Sequence, residues 1–97
     1  MAKAALIVRS AGKPDVVFEI VSTETLIGRA PTCGLQLADE SISREHSVVL
    51  ADGGTYLLED LQSTNGIKVN GKRVRSTELD HGDEIEIGQT RLIFRRE

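Results

Sequence analysis

Short runs rich in β-branched residues, each ended by Gly, Pro, Asp or Asn, repeat from one end of this chain to the other. No window carries apolar residues at the spacing of a helix face. A chain punctuated in this way folds as short strands joined by tight turns. The runs are ALIVR (5–9), VVFEIV (16–21), TLIG (25–28), GLQL (34–37), HSVVLA (46–51), TYLLED (55–60), IKV (67–69), KRV (72–74), EIEIG (84–88) and RLIFR (91–95). Ile85 and Ile87 alternate with Glu84 and Glu86, the pattern of a strand with one buried and one solvated face. LADGGTYL sets Asp52, Gly53 and Gly54 between two runs, and VNGKRV sets Asn70 and Gly71 between two more; both are hairpin turns that need positive φ. Asp-Gly serves such a turn almost as well as Asn-Gly, so Asn70→Asp is expected to be close to silent. The number and spacing of these runs predict an all-β, two-sheet sandwich.

The chain has 97 residues, enough for one small domain spanning 1–97, and most of its apolar side chains are needed for packing rather than for lining a deep cavity. Twelve basic and fifteen acidic side chains leave a net charge of −3, which argues against general nucleic-acid binding or an anionic membrane surface. Any anionic ligand has to be held by local groups. The single cysteine, Cys33, cannot form an internal disulfide, and a cytoplasmic setting is expected. The opening MAKAALIVRS has its apolar stretch broken by Arg9 and is too short for a signal peptide or a membrane helix.

Sandwich loops gather at the two ends of the sheets, so residues far apart in sequence can meet there. Three loops carry distinctive polar residues: IGRAPTC around Arg29, DESISREH around Ser43, and LQSTNGIKV around Thr64 and Asn65. Ser43, His46 and Asp60 contain the residue types of a nucleophilic triad. Ser43 lacks the glycine-flanked strand-to-helix elbow of such enzymes, however, and no helix is predicted after it. His46 opens a strand; its expected role is a partly buried ring whose two nitrogens bind backbone groups and pin the preceding loop. Two histidines and one cysteine, at 46, 81 and 33, have none of the close spacings of a zinc site, and no Gly-rich nucleotide loop feeds a helix. Neither metal nor cofactor is expected.

The same loops suit an anion. Arg29 follows Gly28 after a strand, and its planar fork can donate two parallel hydrogen bonds to a phosphate. Ser43 and Thr64 can add hydroxyls, Arg44 a backbone N–H or a second charge, and Asn65 an amide able to grip a peptide main chain.

IGR at 27–29, SREH at 43–46 and STNGIKVNG at 63–71, with LDHGDEIEIG at 79–88, closely resemble the core of the forkhead-associated (FHA) domain family over nearly the whole chain. The ordered set Gly-Arg, Ser-x-x-His and Asn-Gly-x-x-x-Asn-Gly is specific when all three parts occur. The resemblance implies an eleven-stranded β-sandwich whose apical loops bind phosphothreonine peptides without catalysis. By the same resemblance, Arg29 and Ser43 contact the phosphate, Arg44 and Thr64 flank it, and Asn65 holds the peptide backbone. Gly28, His46 and Gly66 support the loops. The expected partner is a threonine-phosphorylated protein, the substrate of a Ser/Thr kinase, bound by a monomeric signalling module. Departures from the family pattern are Ser47, where many relatives carry a small apolar residue, and Ile67, where threonine is frequent. Ser41 stands at a position that is basic in some relatives, which leaves the flanking preference open. The competing reading is a phospho-independent docking or self-association domain.

Overall fold

The turn residues stand where hairpins need them. Gly53 and Gly54 have φ of 56° and 87°, and Asn70 and Gly71 have φ of 52° and 83°, so each pair takes the left-handed conformation at both central positions of a two-residue loop. A computed structural model describes residues 3–97 and forms eleven strands from them. These are β1 (Ala4–Arg9), β2 (Val16–Glu19), β3 (Glu24–Gly28), β4 (Leu35–Gln36), β5 (Ser47–Asp52), β6 (Thr55–Asp60), β7 (Ile67–Val69), β8 (Lys72–Val74), β9 (Ser76–Glu78), β10 (Glu84–Ile87) and β11 (Thr90–Arg96). One sheet has the order β2-β1-β11-β10-β7-β8 and the other β4-β3-β5-β6-β9. The β3–β4 pair is parallel; the long central pairs, β1 with β11 and β5 with β6, are antiparallel.

The alternation read from the sequence becomes the core. Ile85 and Ile87 are fully buried while Glu84 is exposed. Leu6 lies opposite Phe94 in the β1–β11 register, and both are completely buried, each contributing about 1.5–3 kcal/mol of apolar transfer. From the other sheet Ile27, Val49 and Leu58 join the same cluster. Tyr56 meets Phe94 across the sandwich with ring centroids 5.3 Å apart and planes tilted by 53°, a geometry that suits the ring quadrupoles.

Two elements differ from expectation. The VVFEIV run leaves the strand after Glu19, because Ile20 turns inward and donates its N–H to Ala4 at 2.9 Å. Ser76–Glu78, not expected as a strand, is β9; it extends the second sheet by pairing Leu57 with Glu78 and Leu58 with Thr77. A Ser-Thr-Glu segment carries no apolar alternation, so its strand character comes from the partner edge it meets. The Asn70 side chain also has a role beyond its turn. Its Nδ2 donates to Asp83 Oδ1 at 2.9 Å and its Oδ1 accepts the Glu84 N–H at 3.0 Å, so the turn is fastened to the start of β10. The expectation that Asn70→Asp is silent is therefore corrected: aspartate lacks the donor that Asp83 accepts.

The register places the loops. Ile27 pairs with Ser47, and Ser47 pairs with Asp60, so the end of β3, the start of β5 and the end of β6 form one row across the second sheet. The β3–β4, β4–β5 and β6–β7 loops all leave from that end.

Candidate functional site

Close approach of two loops begins at Gly28. The Arg44 carbonyl accepts the Ala30 N–H at 3.0 Å and the Cys33 thiol at 3.2 Å, while Arg29 N–H donates to the Ser43 carbonyl at 3.2 Å. A Cβ at position 28 would sit 2.8 Å from the Arg44 carbonyl carbon and overlap its oxygen. Glycine is needed here for space, and it brings Arg29 alongside Ser43. Burial pushes the Cys33 thiol up, with only partial offset from the Ala30 backbone; the protonated thiol is the form that can donate to Arg44.

His46 ties this loop pair to the third. It is fully buried, its Nδ1 accepts the Ser43 N–H at 3.0 Å, and its Nε2 lies 2.7 Å from the Gly66 carbonyl. Those partners require a neutral ring protonated on Nε2, since an N–H faces Nδ1 and a carbonyl faces Nε2. The expected fastening of the preceding loop is present, and the ring reaches twenty residues further, to the β6–β7 loop. That loop is also braced from within. Asp60 accepts the Ser63 N–H at 3.3 Å and the Ser63 hydroxyl, and Ser63 Oγ accepts the Gly66 N–H at 2.9 Å. Gly66 has φ of +72°, the left-handed region.

Two contacts stitch the second loop to the third. Thr64 N–H donates to Ser43 Oγ at 3.2 Å, and Asn65 Nδ2 donates to the Ser41 carbonyl at 2.7 Å. Ser43 Oγ thus serves as an acceptor inside the protein while its own O–H remains available to donate outward. The Ser41 segment is held in turn by Asp39, whose carboxylate accepts the Ser41 N–H and hydroxyl, the Gln89 N–H at 2.9 Å and the Thr90 hydroxyl at 2.9 Å. Partial burial pushes the Asp39 carboxyl up, but these hydrogen bonds outweigh it and hold the group below the usual aspartate range.

Arg29 and Arg44 are exposed, and neither makes an ion pair among the described residues. Arg29 commits only Nε, to the Ile42 carbonyl at 3.2 Å, so both terminal nitrogens of its fork remain free. The result is a hydrogen-bonded rim with two cations and the hydroxyls of Ser43 and Thr64. Of the eight residues singled out in the sequence, Arg29, Ser43, Arg44, His46, Thr64, Asn65 and Gly66 lie in these three linked loops, and Gly28 is the last residue of β3, where the first of them begins. The triad arrangement does not form: Asp60 is engaged by Ser63, and His46 Nδ1 accepts a backbone N–H. The Asn65 amide also holds the Ser41 carbonyl, a contact not read from the sequence. Sequence reasoning missed Ser63, Asp39 and Arg73, whose Nη2 donates to the Asn65 carbonyl at 2.7 Å. The Asp60–Ser63 spacing is a turn signal that could have flagged the first; nothing local marks Arg73.

The sequence profile of the FHA domain matches residues 25–88. The chain belongs to the FHA domain family. It is 35% identical over 91 residues to the glycogen accumulation regulator GarA of Mycolicibacterium smegmatis, covering 94% of this chain and 58% of GarA. It is equally 35% identical over 91 residues to an oxoglutarate dehydrogenase inhibitor of Corynebacterium jeikeium, covering 94% of this chain and 63% of that protein. The chain therefore spans about three fifths of the length of these curated relatives. Among solved structures, the FhaA FHA domain complexed with the intracellular domain of Rv3910 has a TM-score of 0.86 at 32% identity, covering 95% of this chain and 99% of that one. Mycobacterium tuberculosis EmbR in complex with a low-affinity phosphopeptide has a TM-score of 0.87 at 29% identity, covering 96% of this chain and 24% of that one. Relatives with this FHA sandwich thus include a phosphopeptide complex, and curated relatives are named as a regulator and an inhibitor.

Proposed function

We propose that residues 1–97 act as one phosphothreonine-dependent binding module that joins a threonine-phosphorylated protein to a signalling complex, with no chemistry performed on the ligand. The observation that carries this reading is the Ser43–Thr64 contact, 3.2 Å long, which merges two loops into one rim beside the free fork of Arg29. A phosphorylated threonine brings about 1.5–2 negative charges and three acceptor oxygens. Arg29 supplies a bidentate partner, the Ser43 and Thr64 hydroxyls supply two more donors, and Arg44 adds charge. Asn65, held on Ser41 through one amide hydrogen, has a second amide hydrogen and an oxygen with which to grip the peptide main chain. His46, Gly28 and Gly66 fix the loops in advance, so little ordering cost falls on binding. A single threonine peptide, titrated by calorimetry in phosphorylated and plain forms, tests the reading. Binding of the phosphorylated form alone is expected; equal affinity for the two would favour phospho-independent docking.

A further inference from the structure

The β6–β7 loop has a second side. Behind Thr64 and Asn65 lies a cleft lined by Asp60, Gln62, Ser63, Gly66, Arg73 and Arg75. Its one carboxylate is engaged: Asp60 accepts two hydrogen bonds from Ser63. Its two cations are not neutralised. Arg73 spends one nitrogen on the Asn65 carbonyl at 2.7 Å, and neither Arg73 nor Arg75 makes an ion pair among the described residues. The Arg75 backbone is held beside the loop by the Asp60 N–H, which donates to its carbonyl at 2.8 Å, so its side chain starts from a fixed point. The groove on the other side of Asn65 differs. Ser41, Asn65, Lys68, Glu86 and Gln89 line it, and its cation and carboxylate balance.

We propose that Arg73 and Arg75 form a second anion subsite, which reads an acidic or second phosphorylated side chain close in sequence to the phosphothreonine. The inference rests on the phosphothreonine reading above. Arg73 carries the geometric link, because the residue whose carbonyl it holds is the one assigned to grip the peptide. An extended peptide advances about 3.3 Å per residue, so a ligand seated on Thr64 and Asn65, at the far end of the six-residue loop 61–66, reaches around it within about four positions. Two guanidinium forks suit a carboxylate or a phosphate equally in kind. A nucleic acid is disfavoured by the net charge of −3 and by the confinement of these cations to one cleft.

The test uses peptides with one phosphothreonine and alanine elsewhere, carrying glutamate, or in a second series phosphoserine, singly at each of about four positions on either side. One position is expected at which the added anion tightens binding by roughly fivefold or more, with the two series separating carboxylate from phosphate preference. Arg75→Gln is expected to abolish that gain while changing affinity for the alanine-flanked phosphopeptide by less than about twofold. Arg75→Lys, which keeps charge without the fork, should retain part of the gain. Absence of a gain at every position, or an undiminished gain in a folded Arg75→Gln protein, overturns the subsite. So does a single-stranded oligonucleotide that displaces the acidic peptide through Arg75 at a lower concentration than the peptide itself. If phosphorylated and plain alanine-flanked peptides bind alike, the failure lies in the phosphothreonine reading, and the subsite falls with it.

Discussion

Replacing Asn70 with aspartate keeps the hairpin turn and exchanges the side-chain NH2 donor for a negatively charged oxygen. The φ of 52° at Asn70 and the 83° at Gly71 suit aspartate followed by glycine, and an aspartate oxygen can still accept the Glu84 N–H. The change falls on the other contact. Asn70 Nδ2 donates to Asp83 Oδ1 at 2.9 Å, and in the variant a carboxylate oxygen faces that carboxylate. Loss of a hydrogen bond to a charged acceptor costs about 1.5–3 kcal/mol. Like-charge repulsion adds about 1 kcal/mol at 4 Å in water-like surroundings, the relevant limit because Asn70 is exposed. A total of about 2.5–4 kcal/mol corresponds to a fall in melting temperature of roughly 10–30 °C for a domain this size. Thermal melts followed by circular dichroism at neutral pH would measure it. The deficit should shrink in acid, where protonation restores a donor. Phosphopeptide affinity should be unaffected at temperatures where the variant is folded. A variant that melts within about 2 °C of the parent at neutral pH would refute the assigned Asn70–Asp83 contact.

Other outcomes follow from the same contacts. Arg29→Ala should abolish measurable phosphopeptide binding in calorimetry while leaving the melting temperature nearly unchanged, and Arg29→Lys should restore only part, because a lysine lacks the fork. Asn65→Asp should weaken binding by about 10-fold or more, since it loses the donor to the Ser41 carbonyl, 2.7 Å away, and brings negative charge to the phosphate rim; wild-type affinity would count against this loop as the ligand site. Ser47 is completely buried and its Oγ has no hydrogen-bond partner, so Ser47→Ala should raise stability by about 1 kcal/mol in denaturant melts. Asp39 has a depressed pKa in the folded state, so its stabilisation is fully present above the unfolded value of about 3.9 and is lost as pH falls through the folded one. Asp39→Asn should therefore melt below the parent at neutral pH, and the gap should narrow below about pH 4.

The family assignment, the all-β class and most strands were legible in the sequence because their causes are local. A two-residue turn at Asn70 and Gly71 needs positive φ wherever it occurs, and the Ile85–Ile87 alternation follows from the pleat of a strand, so neither depends on distant residues. The three loop motifs were legible as a set because their order is distinctive. What the chain alone left open were contacts made by residues far apart. Asn65 and Asn70 both precede glycine, yet one binds Ser41 and the other Asp83; no property of an Asn-Gly pair distinguishes them. Ser76–Glu78 became a strand because the edge of β6 offered unpaired backbone groups, and a backbone ladder is indifferent to the absence of apolar side chains. Arg73 reached the ligand loop because the β7–β8 hairpin folds back on Asn65. A tight turn is set by neighbours in the chain, whereas an edge strand without apolar alternation, and the partner of a side-chain hydrogen bond, are set by what the sheet register brings together. Here the row Ile27, Ser47 and Asp60 made that choice.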